Sequence, residues 1–354
     1  MSEGNKKKIF ILIIAIIIYF LSFIRSAKKE KFETTGNYIP KNFNELQQFC
    51  NNAKPGDIIT LKPNTTYIGN LLINNINGTP NNYISIIGNS TSIISGTDIS
   101  KSKVIEISNS SYVYFGLSTS NIDEFGKGYV LTNAQKGIFV NKCSYITIQN
   151  LNIYNIGYEG LHLLNNSSFC NVLNNNIHDT GKYQPEKGFG EGIYCGSAVS
   201  NWSTYSDGKP DRTNNITISY NNLYNIVSEC LDIKEGTLNG LVSYNRFNGS
   251  YLNDANSADS WIDIKGENWT ISNNIMDITL LDGIQTHFIT NSVPNSGCNN
   301  IMSGNLMNCI TSNSIPCKGY AININSKTTG NIVYSNNRYK NADKGLTNIP
   351  VSYI

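Results

Sequence analysis

The chain has 354 residues, of which 40% are hydrophobic and only 15% charged, with a formal net charge of +2. Its first 33 residues carry +4, which leaves a body of −2 without the basic face of a nucleic-acid binder, so no nucleic-acid partner is expected. Asn, Ile, Ser, Gly and Tyr are abundant and long amphipathic helical patterns nearly absent, which points to an all-β protein.

Residues 1–8 read as a short basic tail. Ile9 to Ile24, "IFILIIAIIIYFLSFI", is uncharged and flanked by Lys on one side and by Arg and Lys on the other. Its length falls between a spanning helix of about 20 residues and the apolar region of a signal peptide, about 7 to 15. No A-x-A site follows, because Arg25 would stand at the third position before a cut after Ala27. Residues 9–24 are therefore read as a single transmembrane helix, an uncleaved signal anchor, with the body luminal or extracellular; cleavage would make the body secreted. Residues 25–37 read as a linker and 38–354 as one domain.

That domain begins with "NFNELQQFCNNAKPGDIITLKPNTTY", a short amphipathic capping helix (Phe43, Leu46, Phe49, Cys50), a Pro-Gly-Asp turn and a strand. A weak repeat follows: "IQNLNIYN" (148), "VLNNNIHD" (172), "ISYNNLYN" (218), "VSYNRFNG" (242), "ISNNIMDI" (271), "MSGNLMNC" (302) and "VYSNNRYK" (333). Their fourth positions are Leu151, Asn175, Asn221, Asn245, Asn274, Asn305 and Asn336. One long interval, Asn175 to Asn221, reads as a single turn with an extra loop near 196–214. Short strands recurring at such periods with turn-forming Asn describe a right-handed parallel β-helix, in which Asn tolerates a left-handed corner and its amides stack along the axis. His178, in "NNNIHD", reads as a turn residue.

A second strand set recurs between these corners: "EGLHLL" (159), "EGIYCG" (191), "ECLDIK" (229), "SWIDIK" (260) and "DGIQTH" (282). Alternation sends Leu161, Leu163, Ile193, Cys195, Leu231, Ile233, Ile262, Ile264, Ile284 and Thr286 inward. It sends His162, Tyr194, Asp232, Asp263 and Gln285 outward in one column, and Leu164, Gly196, Lys234, Lys265 and His287 in the next. Glu159, Glu191, Glu229, Ser260 and Asp282 stand where these strands begin. The two Asp-Ile-Lys copies thus form a block of carboxylates and ammonium groups displayed on an exposed sheet. A salt-bridge lattice would explain the block alone, but exposed pairs are worth only about 0 to 1 kcal/mol and give no reason for the further acids beside it.

Such a block suits a uronate-containing polysaccharide. The proton α to the sugar carboxylate can be removed and the 4-linked sugar expelled if the carboxylate is neutralised and a base stands at C5. Clustered carboxylates hold Ca²⁺; a second ammonium one coil away depresses a lysine pKa, Asp232, Glu229 and Glu235 push the other way, and bound calcium would cancel much of that opposition. On this reading Lys234, Lys265 and His287 are catalytic, and Glu191, Glu229, Asp232 and Asp263 hold the metal. His162, Tyr194 and Gln285 contact substrate, with Trp202 and Tyr205 of the long connections walling the groove beside Tyr183, Phe189 and Tyr251.

The segment "NELQQFCNNAKPGDIITLKPNTTY" resembles the start of β-helical polysaccharide lyases of the chondroitinase B and alginate lyase family. "ECLDIKEG" is similar to the catalytic strand of that family, where a calcium-binding Glu precedes a Lys base by five residues. The resemblance implies Glu229 as that ligand and Lys234 as that base, with Lys265 near the place of an Arg in the next coil. Two features differ: Val227 stands where the family has another Glu, and an Arg-His-Gly sequence is absent. Pectate lyases, which also use calcium with Lys or Arg, are close competitors.

The alternatives are a glycan-binding adhesin or virion surface protein on the same fold, and a glycoside hydrolase using Asp232 and Asp263, whose neighbouring lysines would lower the pKa of the acid it needs. The eight cysteines all follow the hydrophobic segment and show no zinc spacing. Cys170 and Cys195 fall inward, while Cys298, Cys309 and Cys317 share a loop-rich segment that has room for one disulfide if the compartment is oxidising.

Overall fold

The computed structural model describes residues 36–117, 125–183 and 188–353. The stretch 9–24 lies outside them, and among the described residues no helix is long and apolar enough to cross a membrane.

Each coil contributes short strands to three parallel faces. The first face is an 11-stranded sheet running from Asn37–Tyr38 to Ile332–Val333. The second includes Asn152–Tyr154, Asn176–His178 and Asn222–Tyr224 and ends at Arg338–Lys340. The third runs through Leu161–Leu164, Ile193–Cys195, Leu231–Ile233, Ile262–Ile264 and Ile284–Thr286. Near the N-terminus two long strands, Ser92–Ser108 and Val130–Asn141, serve both the second and third faces. This is the parallel β-helix that the repeat predicts. Its core is made of stacked aliphatic columns, such as Leu161, Ile193, Leu231, Ile262 and Ile284 in successive coils, all fully buried.

The helix Phe43–Asn52 closes the N-terminal end and buries Leu46 and Cys50. Its start is reciprocally capped: the Asn42 side chain accepts from the Glu45 N–H at 3.0 Å, and Glu45 accepts from the Lys41 N–H at 2.8 Å.

Between the first and second faces runs a ladder of buried asparagines. Asn175, Asn221, Asn245, Asn274 and Asn305 each donate Nδ2–H to the next carboxamide oxygen at 2.9–3.0 Å, and Asn305 donates to Asn337. The 46-residue interval is one coil, since Asn175 bonds Asn221 directly. Two expectations are corrected. The last rung is Asn337, and Asn336 lies outside it, bonded to Ser303 and the Gly304 N–H. The left-handed corner and the ladder are also separate positions: positive φ falls one residue earlier, at Asn150, Asn174, Tyr220, Tyr244, Asn273 and Gly304. The corner needs only a tolerated backbone, whereas the ladder needs an amide.

His178 is a strand residue rather than a turn residue. Its ring stacks between Tyr154 and Tyr224 at 5.1 and 4.6 Å, and Nδ1 lies 2.7 Å from Asp179.

Candidate active site

The third face carries the residues singled out above. Strand register pairs His162 with Tyr194, Tyr194 with Asp232, Asp232 with Asp263 and Asp263 with Gln285. Parallel strands lie about 4.8 Å apart, so this column brings together groups spread over 124 residues of chain.

The charges are not displayed on an exposed surface. Asp232 and Asp263 are 2% and 4% exposed and Lys265 9%, and Lys234 retains 15% side-chain exposure. Strand alternation reveals which face a side chain takes, but long connections and neighbouring side chains decide what lies over it. Lys234 Nζ lies 2.6 Å from Asp232 and 4.8 Å from the Tyr194 ring centroid. Lys265 Nζ bridges Asp232 at 2.8 Å and Asp263 at 2.9 Å. Asp263 also accepts from the Ser260 hydroxyl at 2.9 Å and faces His287 Nε2 at 3.2 Å. Gly196, in a left-handed conformation beside Lys234, leaves room that a Cβ would take from Thr237 and the Lys234 stem.

At both lysines the acids outweigh the second ammonium. Burial alone would lower both lysines, but Asp232, Glu191 and Glu235 hold Lys234 above the usual lysine range, as Asp232 and Asp263 do for Lys265. Repulsion between the two ammonium groups does not prevail, because Asp232 lies 2.6 Å from Lys234 and 2.8 Å from Lys265, and Asp263 lies 2.9 Å from Lys265. Burial also opposes ionisation of Asp263, yet Lys265 and His287 keep it well below the usual carboxylate range.

Glu191, Glu229 and Asp232 each place one oxygen within 4.8 Å of the others. Burial, Glu159 and Asp232 push Glu191 up to about 7; burial, Asp263 and Asp232 push Glu229 well above its ordinary value. Crowded, buried oxygen donors of one charge fit a hard divalent cation. Asp263, expected to be a fourth ligand, lies outside this trio, and its oxygens are engaged by Ser260, Lys265 and His287.

Upstream lies a second polar cluster. Lys136 Nζ is 2.6 Å from both Glu159 oxygens. Burial and Lys136, against the pull of Glu159, lower His162 to about 4. The neutral ring donates Nε2–H to the Gly196 carbonyl at 3.0 Å, and its buried Nδ1 has no hydrogen-bond partner. Lys103 and Lys136 stand over the Phe139 ring at 4.8 and 5.9 Å. Lys103, Lys136 and Phe139 were missed, although "KGIFV" at 136 carries a signal: Lys136 stands two residues before Ile138 as Glu159 stands before Leu161, and those two pair.

The remaining expected contacts separate. Gln285 donates to Asp259 at 2.6 Å and to Asp282 at 3.3 Å. Trp202 is buried and its indole N–H donates to the Ser197 carbonyl at 2.9 Å, so it fastens the 196–214 insertion instead of walling the groove. Tyr205 is half-buried, 6.4 Å from Phe139. Phe189 stacks on Tyr158 at 4.9 Å, and Tyr251 is exposed.

The parallel β-helix that carries this acidic trio and these paired lysines has solved counterparts in fold. Its fold is similar to that of an alginate lyase and a pectate lyase. An alginate lyase from Paenibacillus sp. str. FPU-7 shares 29% identity over 89% of this chain and 98% of its own, with a TM-score of 0.77. An endo-xylogalacturonan hydrolase from Aspergillus tubingensis covers 90% of this chain and 98% of its own at 11% identity and a TM-score of 0.61. Pectate lyase Pel9A covers 91% of this chain and 82% of its own at 14% identity and a TM-score of 0.51. These last two likenesses are of fold alone. No family model matches the sequence, and no curated protein does.

Proposed function

We propose that this protein is a polysaccharide lyase that cleaves a uronate-containing chain by β-elimination on its third face. The observation that carries the reading is the Asp232 carboxylate held between the Lys234 and Lys265 ammonium groups, next to Tyr194 and the Glu191–Glu229–Asp232 trio. The likeness to an alginate lyase along nearly its whole length supports it.

Lys234, the more exposed of the two lysines, is assigned as the base and must give up its proton before it can act. Two of the carboxylates that hold it protonated, Asp232 and Glu191, belong to the trio. Calcium held by Glu191, Glu229 and Asp232 would supply positive charge that neutralises the sugar carboxylate and weakens the pull of those acids on Lys234. The Lys234 amine then takes the C5 proton, the electron pair forms the C4–C5 double bond, and the C4–O bond breaks. Tyr194, kept protonated by burial and by Asp232 and Glu191, hands its proton to the leaving oxygen. Lys265 stays an ammonium and fixes both aspartates.

One observation favours a hydrolase: Glu191, pushed up to about 7, suits a general acid. The two reactions differ in product. Incubation with alginate, polygalacturonate, chondroitin and glucuronan, with and without Ca²⁺, should raise the ultraviolet absorbance of an unsaturated uronate on at least one. New reducing ends without that absorbance would establish hydrolysis, and binding without either would establish an adhesin. We also place residues 9–24 as a membrane anchor holding the domain outside the cytoplasm, to be checked by membrane fractionation and protease access.

A further inference from the structure

Cys309 and Cys317 flank a short hairpin. Ile310 and Pro316 form an antiparallel bridge, and the Cys317 N–H donates to the Cys309 carbonyl at 2.8 Å. Within the loop the Thr311 N–H donates to Ile315 at 2.8 Å. Directly opposed residues in a hydrogen-bonded antiparallel pair have Cα atoms about 5.5 Å apart and side chains on one side, within the span of about 4.4–6.8 Å that a disulfide bridges. The two thiols do interact: each is the leading influence on the other, raising Cys309 and lowering Cys317. Cys298, the rival in the same segment, is engaged elsewhere, accepting from the Thr329 N–H at 3.3 Å and lying 3.6 Å from the Ser296 carbonyl.

We propose that Cys309 and Cys317 are a disulfide-forming pair that pins the 310–316 hairpin to the coil from which it leaves. Both thiols are buried, but residues 312–316 are exposed, so the hairpin tip is the route by which a disulfide donor reaches them. The Cys317 thiolate attacks one sulfur of a small disulfide such as oxidised glutathione and expels one glutathione thiolate. Cys309 then attacks the Cys317 sulfur of the mixed disulfide and expels the second. The protein pair loses two electrons and two protons, and the donor is reduced to two thiols. The cross-link sits just before Tyr320, whose N–H donates to Asp282 at 2.5 Å, and so steadies the arm that holds this carboxylate at the end of the groove.

The full chain, purified reduced and equilibrated with oxidised glutathione, would be alkylated, digested without reduction and mapped by mass spectrometry. The expected map has one cross-linked peptide joining Cys309 to Cys317, absent after reduction, with the other six cysteines alkylated only after unfolding. Free thiols at both positions, a persistent glutathione adduct at either, or a cross-link to Cys298 would each overturn the pairing. The map is made on the wild-type sequence and does not depend on a variant folding.

Discussion

Lys265 places its ammonium 2.8 Å from Asp232, a residue of the preceding coil. The contact locks two coils in register through a buried pair, and Asp232 shares its second oxygen with Lys234 at 2.6 Å. Asp232→Asn leaves two largely buried ammonium groups short of a counter-charge. Removing one partner of a buried pair costs about 3–5 kcal/mol, and chemical denaturation should show a loss of that order. A change under 1 kcal/mol would mean that water or Glu191 already neutralises these lysines.

The two lysines should separate in their effects. Lys265 touches both aspartates and is the more buried, so Lys265→Met should lower stability together with activity. Lys234 has one close carboxylate and lies over the Tyr194 ring. Lys234→Met should abolish the unsaturated product with the melting temperature changed by a few degrees and polyuronate binding retained. Activity surviving in Lys234→Met would remove that lysine from the chemistry.

The coil register was legible because Asp-Ile-Lys alternates polar and apolar residues in two copies, and a period-2 pattern admits one inward set, Leu231, Ile233, Ile262 and Ile264. Burial of the same charges was not legible, because strand pattern carries no information about what lies above a face. Nor was the high pKa of Lys234: the sequence names its cationic neighbour and its acids but not that Asp232 lies 2.6 Å away. The Lys136–Glu159 pair escaped because an entrance position that reads Glu in three coils switches to Lys in this one, so the search for repeated acids passed over it.

Calcium should stabilise the fold through the acidic trio. A ligand at a hundredfold excess over its Kd adds about 2.7 kcal/mol, which should appear as a higher melting temperature in Ca²⁺ than in chelator. Glu229→Gln removes one crowded carboxylate, so it should lose this increment while being no less stable than wild type in chelator. An equal calcium shift in both proteins would place the ion elsewhere.

His162 should make the protein acid-sensitive in a defined window. In the unfolded chain its imidazole gains a proton below the usual 6.5, but in the fold burial and Lys136 delay this to about 4. The native state thus binds fewer protons between these values, and stability must fall as pH drops from about 6.5 to 4, by about 3 kcal/mol in all. His162→Gln, which can still donate to the Gly196 carbonyl, should flatten that part of the profile relative to wild type. Superimposable slopes would assign the acid sensitivity to the carboxylates.

Asn245 tests the ladder. Its Nδ2 donates to the Ile218 carbonyl at 2.8 Å and to Asn274 at 3.0 Å, and its Oδ1 accepts from Asn221 through both N–H and Nδ2–H at 2.9 Å. Asn245→Ala deletes one rung: it takes a side-chain donor from the Ile218 carbonyl, the acceptor from the Asn221 backbone N–H and one of three acceptors from Asn221 Nδ2, which keeps the Val172 and Ser219 carbonyls. A buried group left unsatisfied costs about 1–3 kcal/mol. Leu151 shows where an apolar residue is tolerated: its own N–H is still served by Asn175 at 2.9 Å, and among the described residues no earlier rung bonds to it. Asn175→Leu should therefore cost less than Asn245→Leu, because upstream it removes the acceptor of one backbone N–H, whereas Asn245→Leu removes the acceptor of an N–H and one bond of the Asn221 amide. Equal losses at the two positions would mean that the ladder is held by the strands rather than by its own amides.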